Sequence, residues 1–344
     1  MRCERMGRGR ASARARGQRQ EAPHGAPQQY NDWQRRCGRV NLQGMKTRQA
    51  CGYSLILLLA ALVLRAAGAQ EVQGTATNRH SLWKVSGQRA TVYLLGSVHF
   101  LKADNYPLAA PIESAFTKAA IVAFEMDPGQ LQAPATLQKL MAKAMLPPGE
   151  TFQEQLSAKT YSQFTNLAAE VGMPLFLMEG LKPAFGAFML VELGLKKLGF
   201  DPDNGVEMHF YALARKQGKT VIPLESVDFQ IDLLTSFSRQ ESELLVKSTL
   251  EDMANLKKLL GDMVTAWQTG DAAGLDKLLN SMAVEAPGIF KRLLTDRTRQ
   301  WAPKVEALSR GEKNAIVIVG AGHLVGKDGL VELLRKKGLQ VTQE

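Results

Sequence analysis

The amino-acid sequence predicts an α/β protein with a mainly parallel central sheet. Short apolar and β-branched runs alternate with segments of helical periodicity, which is the pattern of strands joined by crossover helices. Two of the runs lead into the same Gly-x-x-His pattern, and two helical stretches are too long to be simple crossovers. We therefore expect a sheet built from two similar Gly-x-x-His halves, with large helical insertions that form a cap over one edge.

Each predicted element has a local reason in the sequence. The strands are short β-rich or apolar runs bounded by turn residues, and they are expected at 81–84, 90–95, 121–124, 220–224, 315–319 and 339–342. Helical spacing predicts helices at 111–120, 204–217 and 329–337, and the second of these ends before Gly218. The helical insertions are expected at about 128–200 and 229–310.

The positive charge of the chain is concentrated at its N-terminal end. The 344 residues carry a net charge of +10, which by itself suggests an anionic partner such as nucleic acid. However, the region before residue 70 holds 13 of the 43 Lys and Arg residues and only three of the 33 Asp and Glu residues. The remaining 275 residues therefore carry no net charge. All three cysteines also lie before residue 70. For the domain at 70–344 we therefore expect no nucleic-acid partner, no disulfide and no thiolate ligand for a metal.

Residues 45–69 have the three parts of a secretory signal peptide. A short basic stretch begins at Met45, an apolar run covers 52–64, and Ala67-Gly68-Ala69 forms a small-residue cleavage site. The run is shorter than the about 20 residues of a membrane span. We expect export to a periplasmic or secreted location without a stable membrane span, with a retained N-terminal membrane anchor as the alternative. Residues 1–44 lack apolar periodicity and are interpreted as a disordered extension of the gene model.

Four ionisable side chains follow predicted strands and are expected to meet at one edge of the sheet. His99 and His323 end the two Gly-x-x-His patterns, and Glu125 and Glu225 each follow another strand. Ligands of α/β sheets gather at the carboxyl ends of the strands. Imidazole and carboxylate are suitable ligands for Zn, Mn, Co or Fe(II), and a bound ion lowers the pKa of its water toward about 7. A metal site is therefore one interpretation, and histidines that only hydrogen-bond loop backbone are the alternative.

Three further residues are weaker candidates. Glu207 and His209 are about 200° apart on the helix at 204–217, so they cannot face one site together. For Glu207 the alternative to a site role is a favourable position near the helix N-terminus, and His209 is expected to be structural or exposed. Arg297 could bind an oxyanion or a carboxylate, with a surface ion pair as the alternative. The sequence contains no nucleotide-binding fingerprint or nucleophile elbow.

Seven segments between about Leu82 and Val341 together resemble the TraB/GumN family, which is related to the Tiki metalloproteases. They include Leu-Leu-Gly-Ser-Val-His (94–99), Val-Ala-Phe-Glu-Met-Asp (122–127), Gly-Val-Glu-Met-His (205–209), Asp-Arg-Thr-Arg-Gln-Trp-Ala (296–302) and Gly-Ala-Gly-His-Leu-Val-Gly (320–326). The family's two histidines fall on His99 and His323, its strand-end glutamate on Glu125 and its arginine on Arg297. The family's usual Arg-Asn pair is Arg297-Thr298 here, which weakens a role for a side-chain amide at position 298.

The resemblance implies a metal-dependent hydrolase, and together with the signal-peptide pattern we predict an exported peptidase that uses a metal-activated water. His99, His323 and Glu125 would bind a divalent Mn, Co, Zn or Fe ion. Glu225 or Glu207 would complete the shell or act as base, and Arg297 would hold an anionic group of a peptide or small-molecule substrate. The alternatives are a non-catalytic protein that binds a peptide, haem or metal in the same pocket, and a metal-dependent esterase.

Overall fold

The fold is described from a computed structural model of the chain. The structure describes residues 79–87, 89–279 and 282–344. The expected signal peptide at 45–69 and the expected extension at 1–44 lie outside the described residues.

The described residues form a mixed α/β fold around a six-stranded sheet, with the strand order β4-β3-β5-β2-β1-β6. The four strands on one side, β4, β3, β5 and β2, are parallel, whereas β1 is antiparallel to both β2 and β6. The prediction of a mainly parallel sheet is confirmed. The strand bounds are Leu82–Ser86 (β1), Thr91–Ser97 (β2), Ile121–Phe124 (β3), Thr220–Pro223 (β4), Ala315–Gly320 (β5) and Gln340–Gln343 (β6).

Helices make up most of the rest of the described chain. Serine residues start several of them: Ser157, Ser226 and Ser238 each accept a hydrogen bond from a backbone N–H of the first turn. The helices are α1 (Ala110–Lys118), α2 (Pro128–Leu131), α3 (Pro134–Ala144), α4 (Ala158–Val171), α5 (Pro183–Lys197), α6 (Val206–Lys216), α7 (Val227–Thr235), α8 (Arg239–Ala254), α9 (Leu256–Gln268), α10 (Ala272–Leu279), α11 (Met282–Glu285), α12 (Pro287–Phe290), α13 (Asp296–Ser309) and α14 (Leu330–Lys336).

The short helical turns are of two kinds. A π-helical turn at Lys291–Thr295 leads into α13, and 3₁₀ turns occur at Ala103–Asn105, Gln153–Gln155, Leu175–Leu177, Pro202–Asn204 and Ala321–His323. None of the helices within the described ranges is long and apolar enough to cross a membrane.

The centre of the sheet brings the two Gly-x-x-His segments to the same edge. All six residues of β5 are buried, as expected for a parallel strand covered on both faces. β5 pairs in parallel with β2 in a register that places Ser97 opposite Gly320. On its other side β5 pairs with β3, and the pairing of β3 with β4 continues through the Glu225 N–H, which donates to the Glu125 carbonyl at 2.8 Å. The four residues expected at this edge therefore follow four adjacent strands.

Candidate active site

Arg297 lies at the centre of the polar cluster at the carboxyl edge of the sheet. The side chain is 1 % exposed, so the alternative of a surface ion pair is wrong. Its Nη2 atom lies 2.6 Å from Glu125 Oε2 and 2.6 Å from Glu225 Oε1. Its Nε atom lies 3.1 and 3.2 Å from the two oxygens of Glu225, and Nη1 donates to the Leu293 carbonyl at 3.0 Å. One guanidinium is thus the shared ion-pair partner of two largely buried carboxylates.

The two strand-end glutamates are fixed by additional donors. Glu225 accepts from Trp301 Nε1 at 3.0 Å and from Gln230 Nε2 at 2.7 Å. Glu125 Oε1 accepts from the Gly320 N–H at 2.8 Å. Burial alone would raise the pKa of Glu125, but the opposing effects of Arg297, of the two site histidines and of the Gly320 N–H together outweigh burial and lower this pKa to about 2. Glu125 is therefore a carboxylate at neutral pH.

His323 is neutral, and its tautomer follows from its neighbours. Its Nε2 atom lies 3.2 Å from Arg297 Nη1, which can only donate, so Nε2 must be the acceptor. The proton is then on Nδ1, which faces Thr298 Oγ1 at 2.8 Å, while that hydroxyl donates to the Leu294 carbonyl. Burial first, and then the charge of Arg297, lower the pKa of His323 to about 3. The Trp301 ring packs against the imidazole with 4.3 Å between the ring centroids.

His99 has a carboxylate partner instead of a cationic one. Its Nδ1 atom lies 2.6 Å from Glu207 Oε1, although the oxygen lies off the direction of an in-line hydrogen bond. Ser97 Oγ donates to the same oxygen. Burial alone would lower the pKa of His99, but the Glu207 and Glu125 carboxylates together outweigh burial and raise this pKa above its ordinary value. The two histidines of the site therefore have opposite electrostatic environments.

The Glu207 contact depends on how closely α6 approaches the loop after β2. The Val206 N–H donates to the Val98 carbonyl at 3.2 Å. At Gly205 a Cβ atom would lie 2.4 Å from the His99 carbonyl oxygen, so this approach requires glycine. Glu207 is 3 % exposed and faces Ser97 and His99. This placement supports a site role for Glu207 over one confined to the helix N-terminus.

His209 lies outside the cluster, as its position on the helix predicts. Its ring packs against Tyr106 with 4.5 Å between the centroids, and its Nε2 atom is 3.7 Å from Glu113. Burial lowers the pKa of His209, with the Glu113 carboxylate opposing the shift.

The cluster contains more acceptors than donors. The cluster holds three carboxylates, those of Glu125, Glu207 and Glu225, and one guanidinium, so a protonated His99 still leaves one negative charge in excess. Two further acceptor atoms, Glu207 Oε2 and Gln230 Oε1, are buried without a hydrogen-bond partner among the described residues. A buried site of this kind favours additional cations or donors, because uncompensated buried acceptors are costly.

The types of ligand fit a divalent metal ion, but Arg297 contacts two of the three predicted ligands. Two imidazoles and a carboxylate are ligands that Zn, Mn, Co and Fe(II) accept, and the contact of Glu207 with the far nitrogen of His99 is typical of metal-binding histidines. Within the described ranges, however, no three His, Cys, Asp or Glu side chains converge as a ligand group. Arg297 is hydrogen-bonded to Glu125 and lies within hydrogen-bonding distance of His323, the other two predicted ligands.

A small apolar cavity of about 30 Å³ lies beside the polar cluster. His99 and Gly322 line it on the side of the two Gly-x-x-His segments. The opposite lining comes from the helices and includes Leu195, Leu260, Met263 and Leu279. This volume is enough for one or two water molecules.

Four residues of the site were not predicted from the sequence: Ser97, Gln230, Thr298 and Trp301. Thr298 and Trp301 lie one and four positions after Arg297 on α13, so helical spacing around a candidate arginine was the available signal. Ser97 precedes His99 by two residues. Gln230 is five positions after Glu225 and lies on α7, which begins two residues after this glutamate.

The fold and the cluster together define a mixed α/β protein with a histidine, carboxylate and arginine site at the carboxyl ends of parallel strands. The TraB/PrgY/gumN family model matches residues 81–343, and the chain belongs to this family.

The similar proteins are described as uncharacterized. YbaP of Shigella flexneri is 26% identical over 258 residues, which cover 75% of this chain and 89% of the relative. YbaP of Escherichia coli strain K12 is 26% identical over 243 residues, covering 71% and 87%. A protein of Treponema pallidum is 21% identical over 270 residues, covering 75% and 80%. No solved structure matches the chain significantly.

Proposed function

We propose that the chain is an exported, metal-dependent hydrolase that cleaves peptide bonds. One observation carries the proposal, namely the convergence of two unlike imidazoles, three largely buried carboxylates and a guanidinium at the ends of adjacent parallel strands. The signal-peptide pattern at 45–69 supports export.

His99, His323 and Glu125 would hold the divalent ion, which is Mn, Co, Zn or Fe. When bound, such an ion polarises a substrate carbonyl and acidifies water to a pKa of about 7. His323 suits this role because it is neutral and has its lone pair on Nε2. His99 suits it because Glu207 lies against its other nitrogen and orients the ring.

The remaining polar residues divide into positioning and proton-handling roles. Glu207 is enclosed by Ser97 and His99, which favours a positioning role for it. Glu225 is then the carboxylate that would act as base. Trp301 and Arg297 hold its two oxygens in fixed directions. Arg297 would also hold an anionic group of the substrate or of the intermediate.

We infer that the two Gly-x-x-His segments are equivalent halves of the sheet and that the helical insertions cap the site. The adjacency of β2 and β5 supports the first inference, because their parallel register brings the two segments side by side. The second is supported by the cavity, whose apolar wall includes Leu195 of α5 and Leu260 of α9, one residue from each insertion.

The proposed activity is tested by metal content and peptide cleavage in the same samples. The full chain is loaded with Mn²⁺, Co²⁺ or Zn²⁺, dialysed, and assayed for bound metal and for cleavage of a peptide library. We expect about one bound ion and cleavage for the wild type, and loss of both for His99→Ala/His323→Ala, because two of three ligands are removed. His209→Ala is the matched control and should retain both.

Three other outcomes distinguish the alternatives. Metal binding without cleavage of peptides or esters would favour the non-catalytic binding protein, and cleavage of esters alone would favour the esterase. Equal metal content in wild type and the double variant, or none in either, would contradict the proposed metal site.

A further inference from the structure

Arg297 contacts the same acceptor atoms that the proposed metal site would use. Its Nη2 lies 2.6 Å from Glu125 Oε2, and its Nη1 lies 3.2 Å from His323 Nε2. The single lone pair of His323 Nε2 faces the guanidinium and is not free for a metal ion while Arg297 is in this place. Glu125 Oε2 is held by the same guanidinium, whose positive charge also repels an incoming cation. The side chain is almost fully buried, so this arrangement is not a loose surface contact.

The cluster needs a cation at this position in the absence of metal. Glu125 and Glu225 are both largely buried, with side-chain exposures of 13% and 7%. A buried carboxylate without a counter-charge is strongly destabilising. An arginine remains charged at every accessible pH, so Arg297 supplies this counter-charge permanently.

We propose that Arg297 and a divalent cation are alternative occupants of the acceptors on Glu125 and His323, so that an incoming ion must displace the guanidinium. The inference rests on the proposed function, because it concerns the same metal site. It adds a role for Arg297 as a built-in counter-cation, which keeps the metal-free protein folded and sets its metal affinity.

The remaining contacts of Arg297 allow the exchange. Its Nε atom contacts both oxygens of Glu225, and its guanidinium carbon lies 4.8 Å from the centre of the Trp301 ring. These contacts can anchor the side chain after Glu125 and His323 are released. The π-helical turn at Lys291–Thr295, just before Arg297, is an irregular backbone segment of a kind frequent at functional sites.

The test compares metal affinities of chelator-treated full-length variants, titrated with Mn²⁺ by isothermal calorimetry. A single Arg297→Gln change alters both occupancy and net charge, and the added negative charge alone would attract cations. The informative variant is therefore Arg297→Gln/Glu225→Gln, which removes one positive and one negative group and leaves the charge of the cluster unchanged. Arg299→Gln on the same helix, where the side chain is exposed and paired with Asp328, is the matched control.

We expect the double variant to bind Mn²⁺ at least about tenfold more tightly than wild type, and Arg299→Gln to bind like wild type. We also expect Mn²⁺ to raise the melting temperature of the double variant more than that of wild type. Arg297→Lys keeps a charge with fewer donors, so it provides a second, more conservative variant with intermediate affinity.

Unchanged or weaker affinity in both the double variant and Arg297→Lys would overturn the exchange while leaving the metal site intact. If neither wild type nor any variant binds Mn²⁺, Co²⁺ or Zn²⁺, the proposed function itself fails and the exchange fails with it. The two failures are thus distinguishable.

Discussion

Thr298 has a defined role at the site although it differs from the asparagine usual in the family. Its hydroxyl donates to the Leu294 carbonyl and therefore presents a lone pair to the Nδ1–H of His323. From the sequence, we could conclude only that no side-chain amide acts at this position. The sequence could not show that a hydroxyl would fix the histidine, because the partner lies 25 residues further along the chain.

Replacing Thr298 should weaken metal binding without changing a ligand. Thr298→Val removes the acceptor for the His323 proton and is expected to lower Mn²⁺ affinity about 10–100-fold, as is typical when such a supporting contact is lost. Thr298→Ser retains the hydroxyl and is the matched control. Calorimetric titration of both variants is the measurement, and equal affinities for the two would contradict the positioning role of the hydroxyl.

The burial and the partners of Arg297 could not be predicted from the sequence. The sequence offered a substrate-binding arginine or a surface ion pair, and the structure instead buries it between two glutamates and a histidine. Its partners are 72 and 172 residues away for the glutamates. Only the order of the strands in the sheet brings them together, and that order cannot be read from local spacing.

Among the secondary-structure elements, the strands were predictable because each is a short β-rich or apolar run bounded by turn residues. Ile121–Phe124 agrees with its predicted bounds, and the other five differ by one or two residues at their ends. The helix predicted at 204–217 begins later, at Val206, because Pro202–Asn204 forms a separate 3₁₀ turn. The π-helical turn before α13 has no signal in hydrophobic periodicity, since one inserted residue changes the spacing only locally.

One carboxylate links α4 and α8, and its charge is expected to make the contact between these helices sensitive to acid. Glu243 on α8 accepts from the Ser157 N–H at 3.0 Å, from Ser157 Oγ at 2.8 Å and from Thr160 Oγ1 at 2.6 Å, at the start of α4. Burial alone would raise the pKa of Glu243, but these hydrogen bonds, with one from Lys247, lower it to about 2. The charged form therefore stabilises the folded protein.

Glu243→Gln should lower the free energy of unfolding by about 1–2 kcal/mol near neutral pH, the range of a lost helix cap with a charged acceptor. Because the folded-state pKa is below the unfolded value, this stabilisation is complete above a pH of about 4.5 and is lost as the pH falls toward about 2. Urea unfolding across this range should show the difference from wild type shrinking with acid. An unchanged difference would contradict the charged interaction, and Glu170→Gln at an exposed position of α4 is the control.

Along the whole chain, the net positive charge and the candidate site residues lie in different regions. The net charge of +10 arises before residue 70, whereas the candidate site residues lie between 99 and 323 in a neutral region. The sequence therefore indicated the class of fold, placed four residues at this edge of the sheet, and named Glu207 and Arg297 as further candidates. The packing of α6 and α13 against that edge, which adds Glu207 and Arg297, depends on tertiary contacts that periodicity does not encode.

If His99 and His323 share one divalent ion, as proposed, the number of imidazoles bound to that ion is two. X-ray absorption spectra of the Zn²⁺-loaded full chain should show two imidazoles at about 2.0–2.1 Å in wild type. They should show one in His99→Ala, one in His323→Ala and two in His209→Ala. Fewer than two imidazoles in wild type, or a count that neither site variant reduces, would show that the two histidines do not share an ion.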